Sequence, residues 1–131
     1  MCGINGFNFK DKDLIKKMLA LTSSRGPDYE EYIEKDDFTI GHNRLSIIDP
    51  NPRSNQPYVY KHYILSFNGE IYNYRKLRKD LITQGYGFET ESDTEVIIKL
   101  FDKKGTDAFR ELSGIFSISI YDSKKKKIVF S

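Results

Sequence analysis

Apolar residues recur along this 131-residue chain in two rhythms, and the order of those rhythms restricts the folds open to it. Leu14, Ile15, Met18, Leu19 and Leu21 return at spacings of three and four, which predicts a helix with one apolar face up to about Thr22. Val96, Ile97, Leu100 and Phe101 repeat the pattern, as do Leu77, Leu81 and Ile82 in a helix closed by Gly85. Around them lie runs of strand character: Cys2 to Phe9, Phe38 to His42, Leu45 to Ile48, Tyr63 to Phe67, Tyr86 to Thr90, Ile115 to Tyr121 and Ile128 to Phe130. Strands, helix, strands, helix, helix, strands is a segregated order without strict βαβ alternation. It predicts an α+β layered fold rather than a doubly wound parallel sheet.

Local signals place the element ends. Asp11 or Asp13 is expected to cap the first helix and Ser92 or Asp93 the strongest one, with Gly105 beyond its end. Glu95 stands three residues after Ser92, a capping-box spacing. Ser23 to Asp28 is a breaker-rich loop, and the three-proline stretch Asp49 to Pro57 is long enough to predict a functional surface loop. Lys124 to Lys127 falls between two strand-like segments, as a solvated hairpin turn would. With 21 Lys and Arg against 19 Asp and Glu, no nucleic-acid partner is expected. No stretch reaches the length of a membrane span and the first residues lack a signal sequence, so a reducing, cytoplasmic setting is expected.

Cys2 is the only cysteine, which excludes an intramolecular disulfide. If Met1 is removed, a thiol and a free α-amine share one residue, with reference pKa values of roughly 8.5 and 7.7–8.0, so nucleophile and base are within reach of each other. The competing reading is a small apolar residue starting a strand. His42 and His62 have no motif around them and read as strand-edge or surface residues. Two histidines and one cysteine at these spacings make no metal set. Asn68-Gly69 stands where the apolar run Tyr63 to Phe67 ends, and a side-chain amide followed by a backbone N–H suits a developing oxyanion. A hairpin turn is the alternative there.

Met1-Cys2-Gly3-Ile4, Arg25-Gly26-Pro27-Asp28, Arg44-Leu45-Ser46-Ile47-Ile48-Asp49, Gln56-Pro57, Asn68-Gly69-Glu70-Ile71-Tyr72-Asn73 and Ser92-Asp93-Thr94-Glu95 stand in one order across the chain. Together they resemble class II glutamine amidotransferase domains, most closely the glutaminase domain of glutamine-hydrolysing asparagine synthetase. The resemblance implies an N-terminal-nucleophile hydrolase fold, a four-layer αββα sandwich of mainly antiparallel sheets. It implies that Cys2 is the nucleophile, with its own amine as base, and that Asn68 and the Gly69 N–H form the oxyanion hole. L-glutamine is the implied ligand. Arg44 would take its α-carboxylate by bidentate contact, Asp93 with Glu70 its α-ammonium, and Leu45, Ser46, Ile47 and Ile48 would complete the pocket. Without that context, Asp93 reads as a helix cap and Arg44 as half of a surface ion pair.

Ser24 stands where the family commonly has His. Relatives also continue past the position of Ser131, so residues 1–131 are expected to be an incomplete glutaminase domain. The synthetase domain, with its ATP and Mg, is expected elsewhere in the full-length chain. No cofactor or metal is expected for the glutaminase part, and a homodimer stays open. The expected product is ammonia for asparagine synthesis. A different acceptor, such as a sugar or cell-envelope precursor, or a non-catalytic glutamine-binding remnant, are the alternatives.

Overall fold

The computed structural model describes residues 1–131. One antiparallel sheet has the order β1 (Gly3–Phe7), β3 (Phe38–Arg44), β2 (Tyr29–Lys35). The other runs β4 (Tyr58–Tyr60), β5 (Tyr63–Ile71), β6 (Gly114–Asp122), β7 (Lys127–Phe130). Helix α1 (Lys12–Thr22) packs on the first sheet, and α2 (Tyr74–Thr83) and α3 (Asp93–Lys104) cover the second. The expected four-layer αββα order is therefore present.

The middle strand of the first sheet explains the stacking. Every residue of β3 is buried, because it has a helix on one face and a sheet on the other. Alternation turns Thr39, Gly41 and Asn43 toward α1, where Gly41 leaves room for Ile15 and Leu19 and the Asn43 amide donates to the Leu19 carbonyl at 3.2 Å. Phe38, Ile40 and His42 face the second sheet. There Phe38 stacks on Tyr121 with centroids 4.2 Å apart, and Ile40 joins Ile64. The larger core lies behind the second sheet, where Leu65, Phe67, Ile118 and Ile120 meet Leu77 and Leu81 of α2 and Val96, Ile97 and Leu100 of α3.

Asp11 caps α1 by accepting from the Leu14 N–H at 2.8 Å, and the hairpin β6–β7 turns at the lysine run as expected. Several local expectations need correction. Strand β2 is absent from the sequence reading because Tyr29–Lys35 carries three Glu and no apolar alternation; it is an exposed edge strand anchored through Ile33. Leu45 to Ile48 is not a strand: β3 ends at Arg44, and the next N–H groups bond to Cys2 and Asp28 instead of a ladder. Tyr86 to Thr90 is not one either. Its Glu89 and Thr90 N–H groups go to the Glu95 carboxylate, while Tyr86 and Phe88 lie against the core. Ser92 does cap α3, accepting from the Thr94 N–H at 3.1 Å, but the capping box does not form because Glu95 is committed to that loop. Leu14, Leu21 and Ile82 face solvent. Finally, β5 runs through Asn68-Gly69-Glu70 to Ile71, so Asn68-Gly69 is neither a strand end nor a hairpin turn.

Candidate active site

Cys2 lies one step before β1, whose Gly3 pairs with Asn43, so the ladder sets Cys2 beside Arg44 at the end of the first sheet. The Leu45 N–H donates to its Sγ at 3.4 Å, and the thiol reaches back to the Leu45 carbonyl at 3.8 Å. The Ser23-to-Asp28 loop braces this corner. Arg25 Nε donates to the Cys2 carbonyl at 3.1 Å, and Asp28 accepts from the Ser46 N–H at 2.7 Å. Gly26 is required, since a Cβ there would stand 2.2 Å from the Asn43 carbonyl oxygen. Met1 is exposed at the mouth of the same cavity.

The Asn68-Gly69 region owes its chemistry to how β4 ends. Ile118 exchanges both backbone bonds with Ser131, on the far side of β6, so its partner Phe67 and, two residues on, Gly69 turn their own N–H and C=O groups away from β6. That side of β5 is covered by β4 only as far as Leu65, opposite Tyr58. Beyond it, side chains take over. Gln56 Oε1 accepts from the Phe67 N–H at 2.6 Å, His42 Nε2 bonds to the Phe67 carbonyl at 3.0 Å, and Asp93 Oδ2 accepts from the Ile71 N–H at 3.3 Å. Between these claimed groups, exposed Gly69 presents its N–H to the cavity. It has φ +142°, and an added Cβ would lie 2.1 Å from the Ile115 carbonyl oxygen. The neighbouring Asn68 has a buried Oδ1 with no hydrogen-bond partner. No protein contact therefore fixes which end of its amide faces the cavity.

Two opposite charges join them. Asp93 is the first residue of α3 and is buried; burial raises its pKa above the usual aspartate value although Ile71 and Ser92 donate to it. Arg44 is also buried, and its head group gathers the loop that follows. Nη1 donates to Asn55 Oδ1 at 2.6 Å and the Asn51 carbonyl at 3.2 Å, Nη2 to the Asp49 and Ile48 carbonyls at 2.5 and 3.4 Å. The surface ion-pair reading is thereby excluded for Arg44. Asp49, at φ 47°, ties the same loop to the segment before α3 by accepting from Ser54 Oγ and the Glu91 N–H, each at 2.8 Å. Those donors outweigh the effect of burial and hold its pKa below the usual range.

Cys2, Arg44, Asn68, Gly69, Glu70 and Asp93 thus line one cavity of about 270 Å³, together with Leu45, Ile47 and Ile48. That is a little under the roughly 300–1,000 Å³ of drug-sized sites, room for a small metabolite. Ser46 stays outside the lining; its N–H is spent on Asp28. His42 is not a surface residue but fully buried on the central strand, and it and Gln56 belong to the site's framework. His62 sits in the β4–β5 turn, 3.7 Å from Asp122. No cluster of three or more His, Cys, Asp or Glu stands together as a metal site, and no helix is long and apolar enough to cross a membrane.

The family model for the glutamine amidotransferase domain matches residues 1–131. The chain belongs to that family. It is 39% identical over 132 residues to asparagine synthetase B [glutamine-hydrolyzing] of Escherichia coli strain K12, a match covering 95% of this chain and 24% of the relative. Against asparagine synthetase [glutamine-hydrolyzing] 1 of Bacillus subtilis strain 168 it is 38% identical, covering 93% of this chain and 21% of the relative. The amidotransferase domain here thus spans about a quarter of the length of these curated relatives. Among solved structures, the glutamine phosphoribosylpyrophosphate amidotransferase from B. subtilis superposes with a TM-score of 0.60 at 26% identity, over 69% of this chain and 22% of that one. The fold is that of the N-terminal-nucleophile amidotransferases.

Proposed function

We propose that this chain hydrolyses the side-chain amide of L-glutamine through a thioester on Cys2 and passes the ammonia to a synthetase part of the same polypeptide that makes asparagine. The observation that carries the reading is the convergence on one cavity of a lone thiol, a strand edge with an unclaimed N–H, the Arg44 cation and the Asp93 and Glu70 carboxylates.

With Met1 removed, the Cys2 amine takes the thiol proton as Sγ attacks the amide carbon. The carbonyl electron pair moves onto oxygen, where the Gly69 N–H and the Asn68 amide donate. Collapse restores the carbonyl, the nitrogen leaves as ammonia with the proton returned by the amine, and a γ-glutamyl thioester remains. Water adds to the thioester and Sγ departs, giving glutamate. Asp93 and Glu70 face the α-ammonium, and Arg44 with the backbone of Ile47 and Ile48 the α-carboxylate. Since all four Arg44 Nη hydrogens are engaged, a two-point contact combines its Nε–H with release of the Ile48 carbonyl, the longest of the four bonds. ATP and Mg are assigned to the synthetase part, aspartate is the acceptor, and a reducing cytoplasm keeps the thiol free. The likeness to an enzyme whose name carries phosphoribosylpyrophosphate supports a second reading, the same glutaminase serving another acceptor.

The test uses the full-length protein. Glutamine should yield glutamate, and a quenched sample should carry a glutamyl adduct on Cys2; Cys2→Ala should lose both while still binding glutamine by calorimetry. Hydrolysis surviving Cys2→Ala, or active protein that retains Met1 by intact mass, overturns the mechanism. Asparagine formation from aspartate, glutamine and MgATP decides the acceptor.

A further inference from the structure

We propose that His42 and Gln56 are positioning residues for amide hydrolysis, clamping the Phe67 peptide groups from two elements so that Asn68 and Gly69 keep their donors aimed at the reacting oxygen. The inference rests on the glutaminase reading above. Phe67 directly precedes Asn68, and both of its backbone polar groups are held by side chains: its N–H by Gln56 Oε1 at 2.6 Å, its carbonyl by His42 Nε2 at 3.0 Å. A carbonyl oxygen only accepts, so His42 carries its proton on Nε2; Nδ1 has no partner. Burial holds the pKa of His42 down at about 4, and the ring stays a neutral donor at neutral pH.

The two residues come from different layers. His42 reaches across from β3 in the opposite sheet. Gln56 stands two residues before β4, and its Nε2 donates to Thr94 Oγ1 at 3.3 Å, next to Asp93. Phe67 is thereby tied to the strand that ends at Arg44 and to the helix start that carries Asp93. Neither residue offers the cavity a free polar atom: His42 is outside its lining, and both ends of the Gln56 amide are engaged.

The alternative way to satisfy Phe67 shows why side chains serve better. Continued backward in its register, β4 would set residue 56 against Phe67 and residue 54 against Gly69. Residue 56 would serve Phe67 in such a ladder, and a strand running on to residue 54 would consume the Gly69 N–H as well. Two side chains satisfy Phe67 alone and stop short of the donor. Leaving either Phe67 group unpaired in the interior is unfavourable, a penalty the chain can escape by shifting β5, and a displacement approaching 1 Å there costs up to about 100-fold in rate.

The experiment compares full-length wild type with His42→Leu, His42→Gln, Gln56→Met and Gln56→Glu. The probes are glutamine turnover, glutamate affinity, and affinity for an aldehyde analogue of glutamine that forms a tetrahedral adduct on Cys2. His42→Leu and Gln56→Met should lower kcat by about 10–100-fold with KM within about twofold, and weaken the aldehyde in step with kcat while glutamate affinity holds. Gln56→Glu, which keeps the acceptor for the Phe67 N–H, and His42→Gln, which keeps a donor, should recover most of the loss. Unchanged kcat and aldehyde affinity in folded His42→Leu and Gln56→Met overturn the clamp while leaving the glutaminase reading intact. A parallel fall in glutamate affinity also overturns it, since that is general damage to the cavity. Should His42→Leu not fold, Gln56→Met decides. A wild type that releases no glutamate overturns both readings.

Discussion

Asp93 sits at the start of a helix, where a negative charge is favoured, yet its burial raises its pKa above the usual range. In the proposed glutamine complex the α-ammonium supplies a counter-charge to this carboxylate. Binding therefore needs the ionised carboxylate, and the KM for glutamine should climb on acidification at a higher pH than an ordinary aspartate near ~3.9 would give. Asp93→Asn should raise KM strongly and abolish that climb, read from KM–pH profiles. In the proposed hydrolysis Asn68 works at a different moment. Its donor matters most when the oxygen becomes negative, so Asn68→Ala should cut kcat by about 10²–10³-fold and spare glutamine affinity, measured by steady-state kinetics and direct binding. The types and order of these residues were legible in the sequence. What was not legible was the use already made of them: Arg44 gathers four loop oxygens, a count that depends on where residues 48 to 55 fold back.

At the scale of elements, one residue explains two misread segments. Glu95 has a capping-box spacing, but its carboxylate accepts from the Glu89 and Thr90 N–H groups, the Thr90 hydroxyl and Lys99. Lys99 lies between the Tyr60 and Phe88 rings, 5.2 and 4.5 Å from their centroids, and also donates to the Gly87 carbonyl. Spacing shows that a side chain can reach a partner and not which partner wins; here a whole loop outbids one N–H. Burial opposes ionisation of Glu95, and these bonds overcome it, lowering its pKa. Its contribution to stability is therefore complete above the unfolded value near ~4.3 and lost as pH falls through the lower folded value. Glu95→Gln should destabilise the protein by about 3 kcal/mol in urea titrations at pH 7, because Lys99 stays buried without a counter-charge. Amide exchange at residues 87–91 should quicken with it.

Taken whole, the molecule is two sheets pressed together through Phe38, Ile40, Tyr121 and His42, and the last of these makes the sandwich acid-sensitive. Burial lowers the His42 pKa from 6.5 to about 4, so between those values the unfolded chain binds a proton that the folded one refuses. Stability should fall as pH drops from 6.5 toward 4, by roughly 3 kcal/mol at 1.36 kcal/mol per pH unit. His42→Gln should flatten that window in denaturant titrations and leave the separate loss at lower pH, where the lowered pKa of Glu95 places its titration. The layered class followed from the segregated order of elements. The position of His42 did not, since β3 is central only because the acidic, unpatterned β2 pairs with it on the side away from β1.

The strand edge at Gly69 has a consequence for how tolerant the chain is to change. The donor there is main chain, and every replacement side chain meets the Ile115 carbonyl and an unfavourable φ before any question of reactivity arises. A saturation library would thus score position 69 as a packing position, uniformly intolerant, with the chemistry hidden behind the steric failure. Replacing the Asn68–Gly69 amide N–H by an ester oxygen through chemical ligation keeps the glycine and deletes only the donor. The proposed anion receptor is in this sense invisible to the genetic code, and its inheritance is secured by the length of a neighbouring three-residue strand.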